Sequence, residues 1–128
     1  MSYWFIVAGL LGALALVLDA FGAHGLKVFL GEKNVDVEHM IYLWQTATKY
    51  QMWHAIFIAI VAGSYAKFPH SLGFVIMLLA TLGVIFFSGA IYFHVITGIE
   101  FLRKFTPLGG MMLILAWVGL CFYAFVAK

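Results

Sequence analysis

Charge is what this sequence has least of. Lys, Arg, Asp and Glu make up 9% of its 128 residues and hydrophobic residues 66%, with a mean hydropathy of +1.09. A water-soluble domain carries about a quarter charged residues and close to half apolar ones. A soluble fold of this length could bury a core, but it would have too few charges left to coat its surface. That class is excluded, and the solvent for the excess apolar surface is lipid. Cysteine is nearly absent as well. Cys121 stands alone, so no intramolecular disulfide can form and cysteine usage is silent on compartment. The formal charge of +2 gives no case for nucleic acid. Five histidines raise the question of a bis-histidine haem or metal site. No H-x-x-x-H or C-x-x-C spacing supports one, and only His54 lies deep in an apolar stretch. No metal and no cofactor are expected. Nor does the chain carry a Ser-His-Asp set, paired carboxylates or an activated nucleophile, and an enzyme built on His24 and His54 is the weakest reading.

The charges that exist divide the chain. Asp19, Lys27, Glu32, Lys33, Asp36, Glu38, Lys49, Lys67, Glu100, Arg103, Lys104 and Lys128 leave uncharged stretches at 1–18, 50–66, 68–99 and 105–127. A transmembrane helix needs roughly 20 mainly apolar residues. Each stretch suffices for one helix with its uncharged flanks, and 68–99 is too short for two. The expected fold is therefore an all-α integral membrane four-helix bundle, a single domain over 1–128. Its helices are placed at about 3–21, 37–65, 70–96 and 106–126. Short connections favour antiparallel neighbours, and an even number of spans puts both termini on the same side. Residues 1–18 lack a basic segment ahead of the apolar run, so they read as a retained helix rather than a cleaved leader. By the positive-inside rule, Lys27, Lys33, Lys49, Arg103 and Lys104 outweigh Lys67 and Lys128, placing the first and third connections in the cytoplasm.

Local chemistry refines the helices. Ala8, Gly12, Ala15 and Asp19 share a narrow arc of the first helix, a stripe of small residues against which another helix packs closely. A short helix is expected near 26–30. Asn34 or Asp36 can cap the second long helix, and Glu38 suits the dipole of its first turn. That helix is longer than the ~30 Å hydrocarbon layer at ~1.5 Å per residue, so its first turns project into the headgroups. Pro69 opens the third helix. Thr106 and Pro107 read as N-cap and first residue of the fourth.

The candidate site is a polar seam. Tyr50, Gln51 and His54 share one face of the second helix, and Ser88 and Tyr92 lie on one face of the third beside Gly89. Polar side chains in a bilayer find partners across helices, which is the structural account of such a seam. The functional account is that ionisable intramembrane groups such as His54 and Asp19 mark ion, proton or ligand paths.

Three groups of strings carry a resemblance. They are Phe21-Gly22-Ala23-His24-Gly25-Leu26; Trp44-Gln45-Thr46-Ala47 with Tyr50-Gln51 and His54-Ala55; and Phe87-Ser88-Gly89 with Tyr92, followed by Thr106-Pro107-Leu108-Gly109-Gly110. In this order and spacing they resemble the small membrane-protein family called domain of unknown function 423, over essentially the whole chain. The resemblance implies a four-span membrane protein of undetermined biochemical function, in a bacterial plasma membrane. It marks Gly22, His24, Tyr50, Gln51, His54, Ser88, Gly89, Tyr92, Thr106, Pro107, Gly109 and Gly110 as signature positions. The family pattern has a small residue where this chain has Asp19. It also has basic residues in the second connection and at the C-terminus, which favours the opposite orientation.

Asp19, Gly22, His24, Thr106, Gly109 and Gly110 form a second candidate set, for an interface or for binding. Gly109 and Gly110 in a first helical turn would offer backbone N–H groups to an anionic headgroup, or else admit a closely packed helix. The expected function is a non-enzymatic partner- or lipid-interacting module, with membrane lipid as partner and self-association open. The alternative is a small transporter or proton-linked carrier using the seam between the second and third helices.

Overall fold

A computed structural model describes residues 3–67 and 69–126, and these are predominantly helical with no strand among them. Helix α1 (Tyr3–His24) is followed by the short α2 (Leu26–Gly31) and the long α3 (Val37–Gly63). A single 3-10 turn at Tyr65–Lys67 leads toward α4 (His70–Val84). A π-helical turn at Ile85–Gly89 joins α4 to α5 (Ala90–Thr97), and the 3-10 segment Glu100–Phe105 leads into α6 (Thr106–Val126).

The caps follow from residue chemistry. Asp36 accepts a hydrogen bond from the His39 N–H at 3.2 Å, so it, not Asn34, caps α3. The chain leaves α5 through Gly98 at φ 73°, a left-handed conformation that costs glycine nothing, and its N–H donates to His94 O at 2.7 Å. One expectation is corrected here. Thr106 sits at helical dihedrals (φ −58°, ψ −48°) directly after the 3-10 segment, so it continues a helix rather than capping one. Helical structure begins at Glu100, and the free N–H groups of a helix start belong there rather than at Gly109 and Gly110.

Among the described residues, three stretches are long and apolar enough to cross a membrane: Tyr3–His24, His70–Thr97 and Glu100–Val126. Helix α3 has the length, at 27 residues, but Glu38, Lys49, Gln51 and His54 dilute its apolar composition. For Gln51 and His54 its surroundings explain that difference. Its Trp44, Ala47, Thr48, Gln51, His54, Ala55, Phe57 and Ile58 are buried by its neighbours, whereas Glu38 and Lys49 are exposed. The outer faces of α1 and α6 expose Leu10, Leu14, Val17, Ile114, Val118 and Phe122 instead. Gln51 and His54 thus face protein, while the exposed faces of α1 and α6 are apolar.

Packing runs chiefly between α1 and α3 and between α4 and α6, joined by α3 against α4 and α5. The small-residue stripe of α1 lies on α3, where Ala8, Ala15 and Gly22 are buried. One core cluster joins Phe57, Ile58, Val61, Ile76, Met77 and Ala116. A second, at the other end of α3, joins Leu26, Leu30, Trp44, Ala47, Ile91 and Val95. In that second cluster α2 closes the end of the helices.

Candidate functional site

The seam residues divide between two faces of α3. Gln51 is 2% exposed and bridges three elements: its Nε2 donates to Leu11 O at 2.8 Å, and its Oε1 accepts from the Tyr92 hydroxyl at 2.7 Å. Ser88, in the π turn, donates to Ala47 O at 2.7 Å. These contacts lock α1, α3 and α5 together. Thr81 of α4 donates within its own helix, to Met77 O. Replacing Gln51 by leucine keeps the volume and removes two interhelical hydrogen bonds. Such bonds average ~0.6 kcal/mol in membrane proteins, so a loss of about 1 kcal/mol is expected in denaturant unfolding from mixed micelles.

His54 faces the other way. It is 3% exposed, with Nδ1 2.7 Å from Tyr50 O, and the Trp117 Nε1–H of α6 donates to its Nε2 at 3.2 Å. An indole N–H can only donate, so Nε2 accepts and the proton sits on Nδ1, donated to Tyr50 O. The imidazole held this way is neutral, with both nitrogens engaged. Tyr50 packs its ring against Trp53 and Phe87 at centroid distances of 5.2 and 5.0 Å. Lys49 Nζ lies 5.3 Å from the centroid of the Trp53 ring.

Around His54 opens a cleft of about 700 Å³ between α3 and α6, walled by Tyr50, Trp53, Phe87, Leu113, Ile114 and Trp117. Its lining is almost wholly apolar, with His54 at its floor. A smaller cleft of about 370 Å³ lies where Leu11 and Leu14 of α1 face Ile85, Ala90 and Tyr92, with Gln51 at its base.

The second candidate set is spread along the molecule. Asp19 accepts from the Thr48 hydroxyl at 3.0 Å, at the level of Lys49. Gly22 lies under the Trp44 indole, where an added Cβ would be 2.5 Å from Trp44 Cδ1. His24 is exposed at the end of α1. Gly22 meets Trp44, and Trp44 is about 15 Å along α3 from His54 at ~1.5 Å per residue, so His24 and His54 do not share a site. Gly109 is buried against the backbone of the π turn, whereas Gly110 lines the large cleft. Sequence reasoning missed Trp117 as the partner of His54. The available signal was an indole in the middle of an apolar helix, whose N–H needs an acceptor.

Long apolar helices packed with one another and with the more polar α3 define a multi-pass, all-helical membrane protein. The comparisons narrow this. The family described as "Protein of unknown function (DUF423)" matches residues 18–110, and the chain belongs to it. It is 35% identical to the UPF0382 membrane protein SAB0533 of Staphylococcus aureus over 125 residues, covering 94% of each chain. It is 37% identical to the UPF0382 membrane protein YwdK of Bacillus subtilis over 117 residues, 89% of each. To the UPF0382 membrane protein SERP0230 of Staphylococcus epidermidis it is 34% identical, over 91% of this chain and 90% of that one. The multi-pass bacterial membrane location follows from these relatives and from the apolar spans. No solved structure matches.

Proposed function

We propose that the chain is a four-span bundle, antiparallel between neighbours with both termini on one side, acting as a non-enzymatic module that holds a lipid acyl chain in the α3–α6 cleft. Helix α3 supplies the fourth span, its Thr48, Gln51 and His54 tolerated because groups of α1, α5 and α6 partner them. The order of contacts supports the antiparallel reading. Leu18 bonds Trp44 and Leu11 bonds Gln51, while Gly83 sits beside Gly109 and Ile76 beside Gly119.

The observation that carries the functional reading is the cleft itself. It is large, apolar, aromatic-walled and open along its side, in helices whose outer surfaces are suited to lipid. Its floor residue His54 has both ring nitrogens engaged. Gln51 and Tyr92 likewise spend their hydrogen bonds on structure. That favours a holding site over a proton-linked carrier.

The test uses Trp117 as reporter. The full chain in mild detergent is titrated with phospholipid carrying brominated acyl chains, which quench an indole on contact. Saturable quenching is expected, and a component of it should vanish in Trp117→Phe. Quenching identical in the two proteins would refute the reading. So would a lipid-free dimer by native mass spectrometry, since a second copy would then fill the cleft.

A further inference from the structure

We infer that the lipid held in the cleft is an anionic phospholipid whose phosphate sits at Lys67, with its acyl chain running from there toward Trp117 and His54. This rests on the acyl-chain reading above and adds the headgroup.

The first observation is continuity. A further hollow of about 400 Å³, lined by Phe57, Ile60, Ser64, Lys67 and Leu120, shares Trp53, Ile56 and Trp117 with the large cleft. The two form one groove down α3 from Tyr50 to Ser64, about 21 Å at ~1.5 Å per residue. Half of the ~30 Å hydrocarbon layer is about 15 Å, so a chain from one leaflet lies wholly inside the groove. Ser64 and Lys67 follow the last turn of α3, where the chain leaves the apolar layer, and present a hydroxyl and an ammonium there. A phosphate diester is the lipid group those donors fit.

The second observation is where the charge lies. Every acidic residue, Asp19, Glu32, Asp36, Glu38 and Glu100, belongs to the opposite end of the molecule, along with Lys27, Lys33, Lys49, Arg103 and Lys104. That end is balanced. The formal +2 is therefore the sum of Lys67 and Lys128, and no carboxylate side chain lies near Lys67 in sequence to offset it. The cation at the other end of the groove, Lys49, lies over the Trp53 ring and shares a hollow with Asp19, so its charge is partly countered. Lys67 thus sets the headgroup end.

The experiment compares phosphatidylglycerol with phosphatidylcholine, both bearing the same brominated chains, by the Trp117-dependent quenching of the full chain. One lysine near a membrane surface corresponds to about a fivefold preference for an anionic lipid. That preference for phosphatidylglycerol is expected in the parent protein. It should fall to near parity in Lys67→Gln and persist in Lys49→Gln, with inorganic phosphate failing to displace the lipid. Equal quenching by the two lipids in the parent, or a preference kept in Lys67→Gln, overturns the headgroup assignment while leaving the acyl-chain site standing. Loss of all Trp117-dependent quenching removes both.

Discussion

Gly109→Ala is expected to abolish the folded bundle, whereas Gly110→Ala, one residue on, leaves it intact. The two glycines differ in what a methyl group would meet. At position 109 a Cβ would run into Phe87 N, lie 2.6 Å from Phe86 C and 2.8 Å from Gly83 O, all of them backbone atoms. No rotamer change relieves such a contact; α6 must move away from the π turn. Gly83 faces the same crossing, since a Cβ there would lie 3.1 Å from Gly109 O and 2.6 Å from Leu113 Cδ2. Separating the helices would open the packing of α4 on α6, which in lipid rests on close contact rather than on exclusion of water. Overpacking typically costs ~1–3 kcal/mol, occasionally more, and rigid backbone on both sides places Gly109 at or above the top of that range. At position 110 the nearest atom would be Phe87 Cδ2 at 3.7 Å, an ordinary contact. Circular dichroism and size-exclusion profiles of the two variants in detergent separate these outcomes.

The second large effect is expected at Trp44. Its indole is 2% exposed and donates to Leu18 O at 2.7 Å. Its ring packs on Tyr92 at 4.8 Å and on Phe21 at 5.5 Å between centroids. Trp44→Ala empties the junction of α1, α3 and α5. Truncating a large aromatic in a soluble core costs ~3–5 kcal/mol. The lower figure, about 3 kcal/mol, is expected here, because lipid rather than water is the alternative environment for the apolar part. Trp44→Phe keeps most of the packing and loses the hydrogen bond, at about 1 kcal/mol. Unfolding by sodium dodecyl sulfate in mixed micelles, followed by circular dichroism, gives the ranking. A Trp44→Ala protein as stable as its parent would show that α2 and α5 close over the gap.

The contrast between Gly109 and Gly110 shows how far the candidate site was legible beforehand. Both belong to the Thr106–Gly110 string, and both were expected in a first helical turn. Composition could not tell that helical structure would begin at Glu100, nor that only Gly109 would face backbone. The pairs on α3 show the same limit. Helical periodicity put Tyr50, Gln51 and His54 on one broad face, and the sequence expectation joined them to Ser88 and Tyr92 as one seam. A helix face of that width touches more than one neighbour, so Gln51 meets α1 and Tyr92 while His54 meets α6. The small-residue stripe of α1 was easier to read. Ala8 and Ala15 lie on α3, with Gly12 3.7 Å from Ala55 Cβ when given a Cβ of its own.

By itself the sequence determined that this protein is all-helical, lives in a membrane and belongs to its family. Those properties are carried by composition, by the spacing of charges and by short ordered strings, all of which are local. Tertiary structure decided which polar groups meet. Trp117 reaches His54 across 63 positions and Ser88 reaches Ala47 across 41. The π turn at Ile85–Gly89 sets Ser88 on α3 and lays its own backbone against Gly109, yet its residues carry no sign of it. In a bilayer an apolar helix is equally well solvated on every side. The choice of face, register and partner is therefore made by close packing and by the few polar atoms that must be satisfied, and both depend on the neighbouring helices.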